Sequence, residues 1–352
     1  MAMTLNPVKG ITVTGMATAW PEDLLGPAAE MHDADVYASI LGDSWREYLT
    51  ERQWDFERSW KEFGVRRRGW TRGTAVGSLE LGIAAGKKAL ADAGIKASDV
   101  DCIVAATCSP NHITSTIAGK LAKHLKTTAA AIDIRAGGAG GLNALVTAAL
   151  YHTAGCKVSL VIAAEVSSKY LGDHDLSNAL LFGDGAAALV LVSDPNGGEA
   201  GLVGAVIGNS DWQGSAFTVP GVLPPPENYS VEDYRFQRPD AIYRENLARC
   251  WDETGKALRD AFPREQPGLN AVLPYAVTRD QVVQCVEQFG VSGEDSIALL
   301  AEHGCIGCAS PLAAMVLHWQ RRRSNGGDIA DETIASLAVA GGISWTGLLW
   351  RI

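Results

Sequence analysis

The chain repeats one order of elements twice, and this repeat constrains the fold more than any other feature. In each half, the sequence pattern predicts a helix, a strand, a glycine-containing turn, a helix of small residues and two more strands. In residues 82–195 these are the helix ending at Gly94, the strand at 102–107, the turn at 136–141, the helix after it, and the strands at 158–164 and 186–193. In residues 240–352 they are the helix up to about 261, the strand at 271–276, the turn at 303–308, the helix from Ser310, and the strands at 335–340 and 346–352. Such a duplication predicts two halves of the same topology.

The two kinds of segment alternate along the chain. Apolar runs such as CIVAATC and SLVIAAEV have the length and residue types of buried strands. Stretches such as SLELGIAAGKKALADAG carry apolar residues at three- and four-residue spacing and end in glycine, as helices do. The alternation predicts an α/β fold with helix-covered sheets, divided into an N-terminal half, residues 1–195, and a C-terminal half, residues 196–352.

Two stretches interrupt the repeat. Residues 21–63 include YASILGDSWREYLTERQWDFERSWKEF, an amphipathic helical segment that we interpret as a cap over the core or as a lid for a partner or substrate. Residues 212–237, WQGSAFTVPGVLPPPENYSVEDYRFQ, carry four prolines. Proline disrupts helices and sheets, so this stretch predicts an ordered loop, of a length that is usually functional or mobile.

Charge and composition exclude several function classes. The formal net charge of −10 is a poor match for nucleic acid or for anionic membranes, which attract basic surfaces. The stretch MAMTLNPVKGITVTG lacks a basic start followed by a long apolar run, so we expect no secretory signal, and no apolar run is long enough to span a bilayer. Seven scattered cysteines argue against a disulfide framework and for a reducing compartment. We therefore expect a soluble, cytoplasmic protein.

Four strings, read in order, carry a resemblance to a known family. They are AIDIRAGGAGG at 131–141, LFGDGAAALVL at 181–191, EHGCIGCASP at 302–311 and AGGISWTGLLWRI at 340–352. Together they resemble landmarks of β-ketoacyl-acyl carrier protein synthase III, within the thiolase superfamily. The resemblance spans roughly residues 10–20 and 64–352, and the stretch at 21–63 looks longer than its family counterpart.

The resemblance implies a fold and partners. The fold would be the thiolase fold, five layers α-β-α-β-α built from two pseudo-symmetric halves. The substrates would be thioesters of an acyl carrier protein or coenzyme A. Family members are usually dimers, and the apolar Ile132–Ile134 region and the helix after Gly140 suit such an interface. We expect a homodimer, or a heterodimer with a related ketosynthase.

The family's functional positions carry other residues here. The family uses an acyl-accepting cysteine at a helix start, with a histidine and an asparagine that stabilise the enolate formed by decarboxylation. String matching places the cysteine at Gly138, the histidine at Tyr275 and the asparagine at Cys305. The arginine that contacts coenzyme A in the family falls at Leu176. Glycine has no side chain to acylate, so we expect no Cys-His-Asn condensation.

Backbone groups of the site have two interpretations. Amides of Gly138, at a helix start, and of Gly341, in a turn, would point donors at one spot and form an oxyanion hole. The alternative is that these glycines serve only the tight turns of the fold.

The chemistry could instead have moved to another thiol. Cys305 and Cys308 form C-x-x-C at a helix start, where a thiol pKa is lowered. Cys305 would then accept an acyl group, with His303 or Tyr275 as proton partner. The alternative is that both cysteines are small packing residues. No second ligand pair completes a zinc site, and we expect no metal and no cofactor.

Weaker candidates lie elsewhere. Cys108 and His112 follow a strand, on a loop where the family often has a polar residue and a histidine. Asp184 in FGDGA is interpreted as a structural turn residue. The three consecutive arginines at 66–68 are interpreted as a solvated face or, alternatively, as a contact for an acidic carrier protein.

Two functions follow from these residues. The first is an acyltransferase that moves acyl groups from carrier-protein or coenzyme A thioesters, in fatty-acid-like or polyketide-like specialised metabolism. The second is a non-catalytic subunit that pairs with an active ketosynthase. Condensation by an unusual mechanism ranks behind both, because neither a thiol nor a histidine stands at the family positions.

Overall fold

The computed structural model describes residues 2–112, 114–173, 175–210, 219, 226–236, 241–327, 329, 332–341 and 344–352. The strands are β1 (Met3–Leu5), β2 (Val8–Lys9), β3 (Ile11–Ala19), β4 (Glu30–His32), β5 (Arg67–Gly69), β6 (Cys102–Ala106), β7 (Ala130–Ile134), β8 (Val158–Val166), β9 (Asp184–Ser193), β10 (Gly201–Asn209), β11 (Leu269–Val272), β12 (Thr333–Ala340) and β13 (Ser344–Arg351). The α-helices are α1 (Pro21–Leu25), α2 (Asp33–Leu41), α3 (Trp45–Glu51), α4 (Phe56–Phe63), α5 (Ser78–Ala93), α6 (Ile117–Leu125), α7 (Gly140–Thr153), α8 (Leu176–Leu181), α9 (Ala241–Ala261), α10 (Arg279–Phe289), α11 (Glu294–His303) and α12 (Ser310–Ser324).

Two sheets share one strand order, as the sequence repeat predicts. The first runs β3-β9-β8-β6-β7, and the second contains β10-β13-β12-β11. In each sheet the first two pairings of that order are antiparallel and the third is parallel. β1 and β2 pair with β10, so the start of the chain completes the second sheet. The division of the chain at residue 195 stays a prediction.

Helices cover both sheets and fill the space between them. α5 and α6 pack on the outer face of the first sheet, α7 and α12 lie between the sheets, and α9 packs on the outer face of the second. α7 and α12 are the predicted helices of small residues, and a helix buried on most sides must be apolar almost all round. The α-β-α-β-α order of the thiolase fold is therefore confirmed.

The stretch at 21–63 folds into four short helices, α1 to α4, and the strand β4, which pairs with β5. α2 and α4 pack on α8 of the first half. Inside the stretch, the hydroxyl of Tyr37 hydrogen-bonds that of Ser59, and the indole N–H of Trp54 donates to Ser59 at 2.7 Å. Tyr37 and Phe63 are buried in the same hydrophobic cluster as the two sheets, so the stretch extends the main core.

Most of the predicted loop at 212–237 lies outside the described residues. In its described part, residues 226–236, the ring of Phe236 packs against Tyr170 and Phe182. None of the helices within the described ranges is both long enough and apolar enough to cross a membrane.

Candidate active site

The turn that carries Gly138 lies between β7 and α7. It is a single 3₁₀ turn, Gly137–Ala139, and Gly137 has φ +55°, in the left-handed region that favours glycine. A Cβ added at Gly137 would lie 2.6 Å from the Cβ of Ala340, so the turn packs directly on the end of β12. This contact joins the first half of the chain to the second.

Tyr275 lies directly on Gly138. A Cβ added at Gly138 would lie 2.7 Å from Cε1 of Tyr275, 3.0 Å from its Cζ and 3.0 Å from the backbone oxygen of Val339. The backbone N–H of Tyr275 donates to the carbonyl of Leu337 at 2.7 Å, which ties this residue to β12. A side chain at position 138 therefore requires Tyr275 to move.

Cys305 completes the group. Its Sγ lies 3.7 Å from the Tyr275 hydroxyl and is fully buried. Its backbone N–H donates to the carbonyl of Leu181 at 2.8 Å, and its own carbonyl accepts from Gly183 at 3.1 Å. The structure thus brings together Gly138, Tyr275 and Cys305, the three positions at which string matching finds the family triad substituted.

Burial changes the acidity of the thiols at this site. Burial raises the pKa of Cys305 to about 11, although the Gly307 amide and the Tyr275 and Ser310 hydroxyls oppose the shift. The pKa of Cys308 is raised well above its ordinary value by the neighbouring Cys108 thiol, by burial and by Glu165. Both thiols stay protonated at neutral pH, whereas a nucleophilic cysteine needs a thiolate. The nucleophilic role of Cys305 stays a prediction, and its burial weighs against it.

His303 points to a different neighbour. Its ring stacks on Trp20, with ring centroids 3.6 Å apart and planes 6° from parallel. Burial, with a further contribution from Arg67, lowers the pKa of His303 to about 4, so the ring is neutral at physiological pH. Within the part of the chain that the structure describes, the His303 ring makes no hydrogen bond to Cys305. Its role as a proton partner stays a prediction.

Gly341 directly follows β12 and has φ +59°. It follows Ala340, which touches the turn of Gly137, so the two predicted backbone contributors to an oxyanion hole lie at adjoining turns. Residues 342–343 lie outside the described ranges. The oxyanion hole therefore remains a prediction that this proximity supports.

Sequence reasoning missed Glu165 at the end of β8. It is only 2% exposed, and its carboxylate accepts the backbone N–H of Cys108 at 2.9 Å and the hydroxyl of Ser109. A Cβ added at Gly307 would lie 2.8 Å from the Cγ of Glu165, so this side chain passes beside the turn before α12. The sequence could have revealed this residue. Glu165 stands near the end of the apolar string SLVIAAEV, and a carboxylate is almost never fully buried unless it is paired.

The weaker candidates have structural partners. Asp184 is fully buried and accepts hydrogen bonds from the backbone and side chain of Thr71 and of Ser168, as a structural turn residue would. His112 is exposed, with Nδ1 2.7 Å from Nζ of Lys120.

The interpretation of the three arginines as a solvated face is wrong for Arg68. It is 1% exposed, donates to Asp33 at 2.7 Å and donates to the carbonyl of Leu180 at 2.7 Å. Arg67 bridges Glu30 and Glu302. The partners of Arg67 and Arg68 lie far away along the chain, so three consecutive arginines in the sequence could not identify them.

Comparison with known proteins decides the family. A family model described as 3-oxoacyl-[acyl-carrier-protein (ACP)] synthase III matches residues 132–210. The β-ketoacyl-[acyl-carrier-protein] synthase III of Rhodospirillum rubrum is 30% identical over 277 residues, which cover 78% of this chain and 84% of that protein. The chain belongs to the synthase III family. A second relative of the same name, from Bordetella petrii, is 36% identical over 162 residues, 46% of this chain and 47% of its own.

Solved structures show the same fold at low sequence identity. Synthase III of Pseudomonas aeruginosa superposes with a TM-score of 0.76 at 22% identity, over 97% of this chain and 98% of its own. Xanthomonas campestris OleA, solved with bound lauric acid and lauroyl-CoA, gives 0.76 at 16% identity, over 98% of this chain and all of its own. These structures confirm the fold, and the family assignment made from four strings is confirmed by the Rhodospirillum rubrum relative.

Proposed function

We propose that this synthase III family member transfers acyl groups from carrier-protein or coenzyme A thioesters and does not carry out Cys-His-Asn condensation. The observation that carries the proposal is the contact of the Tyr275 ring with bare Gly138, 2.7 Å from where a Cβ would lie. The setting we propose is fatty-acid-like or polyketide-like specialised metabolism in the cytoplasm.

The groups at the site support the proposed loss of condensation. A condensing enzyme needs a thiolate to hold the acyl group and two side chains that stabilise an enolate. Position 138 offers no sulfur, and the space in front of it holds a phenol ring. Cys305 replaces an amide donor with a buried thiol whose pKa is raised to about 11. A phenol and a protonated thiol are poor substitutes for the histidine and asparagine.

Acyl transfer makes smaller demands on the site. An external nucleophile attacks the thioester carbonyl, and an oxyanion forms. Collapse of the oxyanion expels the carrier thiolate, which takes up the proton that the nucleophile loses. The chain has to bind the thioester and orient its carbonyl, and adjoining glycine turns at Gly138 and Gly341 suit backbone donation to an oxyanion. OleA, with its bound lauroyl-CoA, illustrates that the fold can accommodate an acyl thioester.

The experiment follows an acyl chain from a defined donor. The full chain is mixed with octanoyl-carrier protein and a panel of thiol, alcohol and amine acceptors, and the product is identified by mass spectrometry. Transfer above the rate without protein is the expected result. Absence of transfer to every acceptor class, in a protein that binds the donor, would overturn the proposal.

A second candidate, a non-catalytic partner of an active ketosynthase, is favoured by the edge of the first sheet. Within the described strands β7 pairs on one side only, with β6, and Ala130 and Ala131 on it are exposed. On α7, which packs against β7, Leu150 is 40% exposed. This candidate would be favoured if the chain co-purified stably with an active homologue and if only the pair, and not this chain by itself, were active. A homodimer that transfers acyl groups by itself would count against it.

A further inference from the structure

Three cationic side chains from separate parts of the chain gather around the short segment that follows β8. Nη2 of Arg72, in the turn before α5, lies 3.3 Å from a carboxylate oxygen of Asp173. Nη1 of Arg235 donates to the carbonyl of Lys169 at 2.9 Å. Nζ of Lys169 donates to the carbonyl of Thr74 at 2.7 Å, in the same turn as Arg72. These contacts hold two guanidinium groups and one ammonium group beside a single segment.

Each of the two guanidinium groups has a buried N–H that finds no acceptor among the described residues. The two nitrogens are Nη1 of Arg72 and Nε of Arg235. A buried donor without a partner costs the free energy of its desolvation, and the cost is larger for a charged group. An oxygen acceptor supplied by a bound molecule would remove this cost, so the unpaired donors point to an anionic ligand.

The carboxylates near this segment leave the positive charge in excess. Asp173 is exposed, and its contact with Arg72 is longer than a strong charge-assisted hydrogen bond. Glu232 is exposed and lies beside Gly172. Asp175 is already engaged, because it accepts hydrogen bonds at the start of α8. Three cations therefore face two carboxylates that are free to turn towards solvent.

The cluster lies at the same edge of the first sheet as the turn of Gly138. β6 pairs in parallel with both β7 and β8, so the carboxyl ends of these three strands lie at one edge. Gly138 follows β7 and Lys169 follows β8. Two strand spacings separate the ends of β7 and β8, a distance of about 10 Å. An anion bound at the cluster would therefore lie close enough to be part of a molecule that also reaches Gly138.

We propose that Arg72, Lys169 and Arg235 bind the phosphate group that is attached to the pantetheine of an acyl thioester. The identity of the ligand rests on the proposed acyl transfer, since coenzyme A and acyl carrier proteins both carry this phosphate. A guanidinium fork matches the oxygens of a phosphate with paired N–H···O bonds, and lysine adds a compact charge. Binding there would position the donor with its thioester directed towards the Gly138 turn.

The test compares two probes that differ only in the phosphate. Isothermal titration calorimetry with the full chain measures the dissociation constants of S-octanoyl-phosphopantetheine and S-octanoyl-pantetheine. The phosphorylated probe should bind at least about tenfold more tightly, as expected for hydrogen bonds to a charged group. Equal affinities of the two probes would overturn the proposal, and this comparison requires no substitution.

Substitutions then assign the preference to the cluster. Arg72→Gln and Arg235→Gln should each remove most of the preference for the phosphorylated probe and leave the affinity for the other probe unchanged. Arg323→Gln is the matched control, because Arg323 is also partly exposed and has one carboxylate partner, Asp92 at 3.6 Å. It lies in the last turn of α12, and its variant should keep the preference. An equal loss in all three variants would reflect net charge alone and would overturn the assignment. Circular dichroism verifies that each variant is folded.

Two further probes distinguish the sources of the phosphate. Octanoyl-CoA and octanoyl-carrier protein both contain it, and Arg235→Gln should weaken the binding of the donor that uses the site by about tenfold. A loss with one of them identifies that donor, and a loss with both shows that the site serves either. Unchanged affinity for both would overturn the proposal.

The outcomes separate this inference from the proposed function. Acyl transfer by a chain that binds both pantetheine probes equally would overturn the phosphate site and leave acyl transfer standing. A phosphate preference that depends on Arg72 and Arg235, in a chain that transfers no acyl group, would support the site and overturn the proposed function.

Discussion

At the residue scale, the site is defined by a ring that occupies the space of a missing side chain. The Tyr275 ring lies where a Cβ at Gly138 would meet it at 2.7 Å, and its hydroxyl lies 3.7 Å from Sγ of Cys305. Interiors are packed closely enough that one added carbon displaces its neighbours. The glycine and the tyrosine are therefore a matched pair, and neither can be replaced without regard to the other.

A double-mutant cycle tests this pairing. Gly138→Ala should destabilise the protein by about 1–3 kcal/mol, because the methyl group overpacks the space in front of Tyr275. In a Tyr275→Ala background the same change should cost less, although contact with the Val339 carbonyl remains. Urea denaturation of the four proteins measures the coupling. An equal cost of Gly138→Ala in both backgrounds would contradict the pairing.

His303 predicts a pH dependence of stability. Its pKa falls from the ordinary 6.5 to about 4 in the folded protein, chiefly through burial. Between these values the unfolded chain binds more protons than the folded one, so stability falls as the pH is lowered from about 6.5 to about 4. The loss should be on the order of 1–3 kcal/mol, reduced by the partial exposure of the ring.

The matched control for this prediction is His303→Phe, which keeps an aromatic ring against Trp20 and removes the titration. The free energy of unfolding, measured against pH by chemical denaturation, should fall less steeply in the variant over that interval. Identical slopes in the two proteins would show that His303 does not titrate with folding.

At the element scale, a buried ion pair connects the stretch at 21–63 to the first half. Arg68 on β5 donates to Asp33 at the start of α2 and to the carbonyl of Leu180 on α8. Burial lowers the pKa of Arg68 and raises that of Asp33, and each partner's charge opposes the shift of the other. An unpaired charge in the protein interior is strongly destabilising, so each of these two charges depends on the other.

Removing one partner should therefore cost more than removing both. Arg68→Met leaves an unpaired carboxylate and Asp33→Asn an unpaired guanidinium, and each should destabilise the protein by about 3–5 kcal/mol. The double variant should be less destabilised than the worse of the two single variants. Lys61→Ala, which breaks an exposed pair with Glu57, should cost under about 1 kcal/mol. Thermal and urea unfolding compare the four variants, and additive costs would contradict the argument.

At the scale of the whole molecule, the fold was predictable and much of the site was not. Periodicity placed α5 to its end at Gly94 and α12 from its start at Ser310, because amphipathic spacing and glycine termination are local signals. The burial of Arg68 and the hydrogen bond between the Cys108 amide and Glu165 depend on contacts between distant segments. No local pattern reports which distant carboxylate or thiol will be the neighbour.

Among the described strands, β7 has no partner on its outer side, and this edge of the first sheet predicts an interface. If two chains, or this chain and a homologue, associate through β7 and α7, a charge at exposed Leu150 should be desolvated there and weaken association. Leu150→Lys should shift the oligomer towards monomer by at least tenfold in the dissociation constant, the equivalent of roughly 1.4 kcal/mol. Val283→Lys is the matched control, since Val283 is a similarly exposed aliphatic residue on α10. Analytical ultracentrifugation compares them, and equal effects would contradict this interface.

We propose that Gly138, covered by Tyr275, leaves this synthase III family member without condensation chemistry. The direct measurement incubates the full chain with octanoyl-CoA and a malonyl thioester labelled at the free carboxylate, and follows labelled carbon dioxide and the β-ketoacyl product. We predict that neither is formed above the rate without protein, while octanoyl groups are transferred. Labelled carbon dioxide released in step with a β-ketoacyl product would contradict the account.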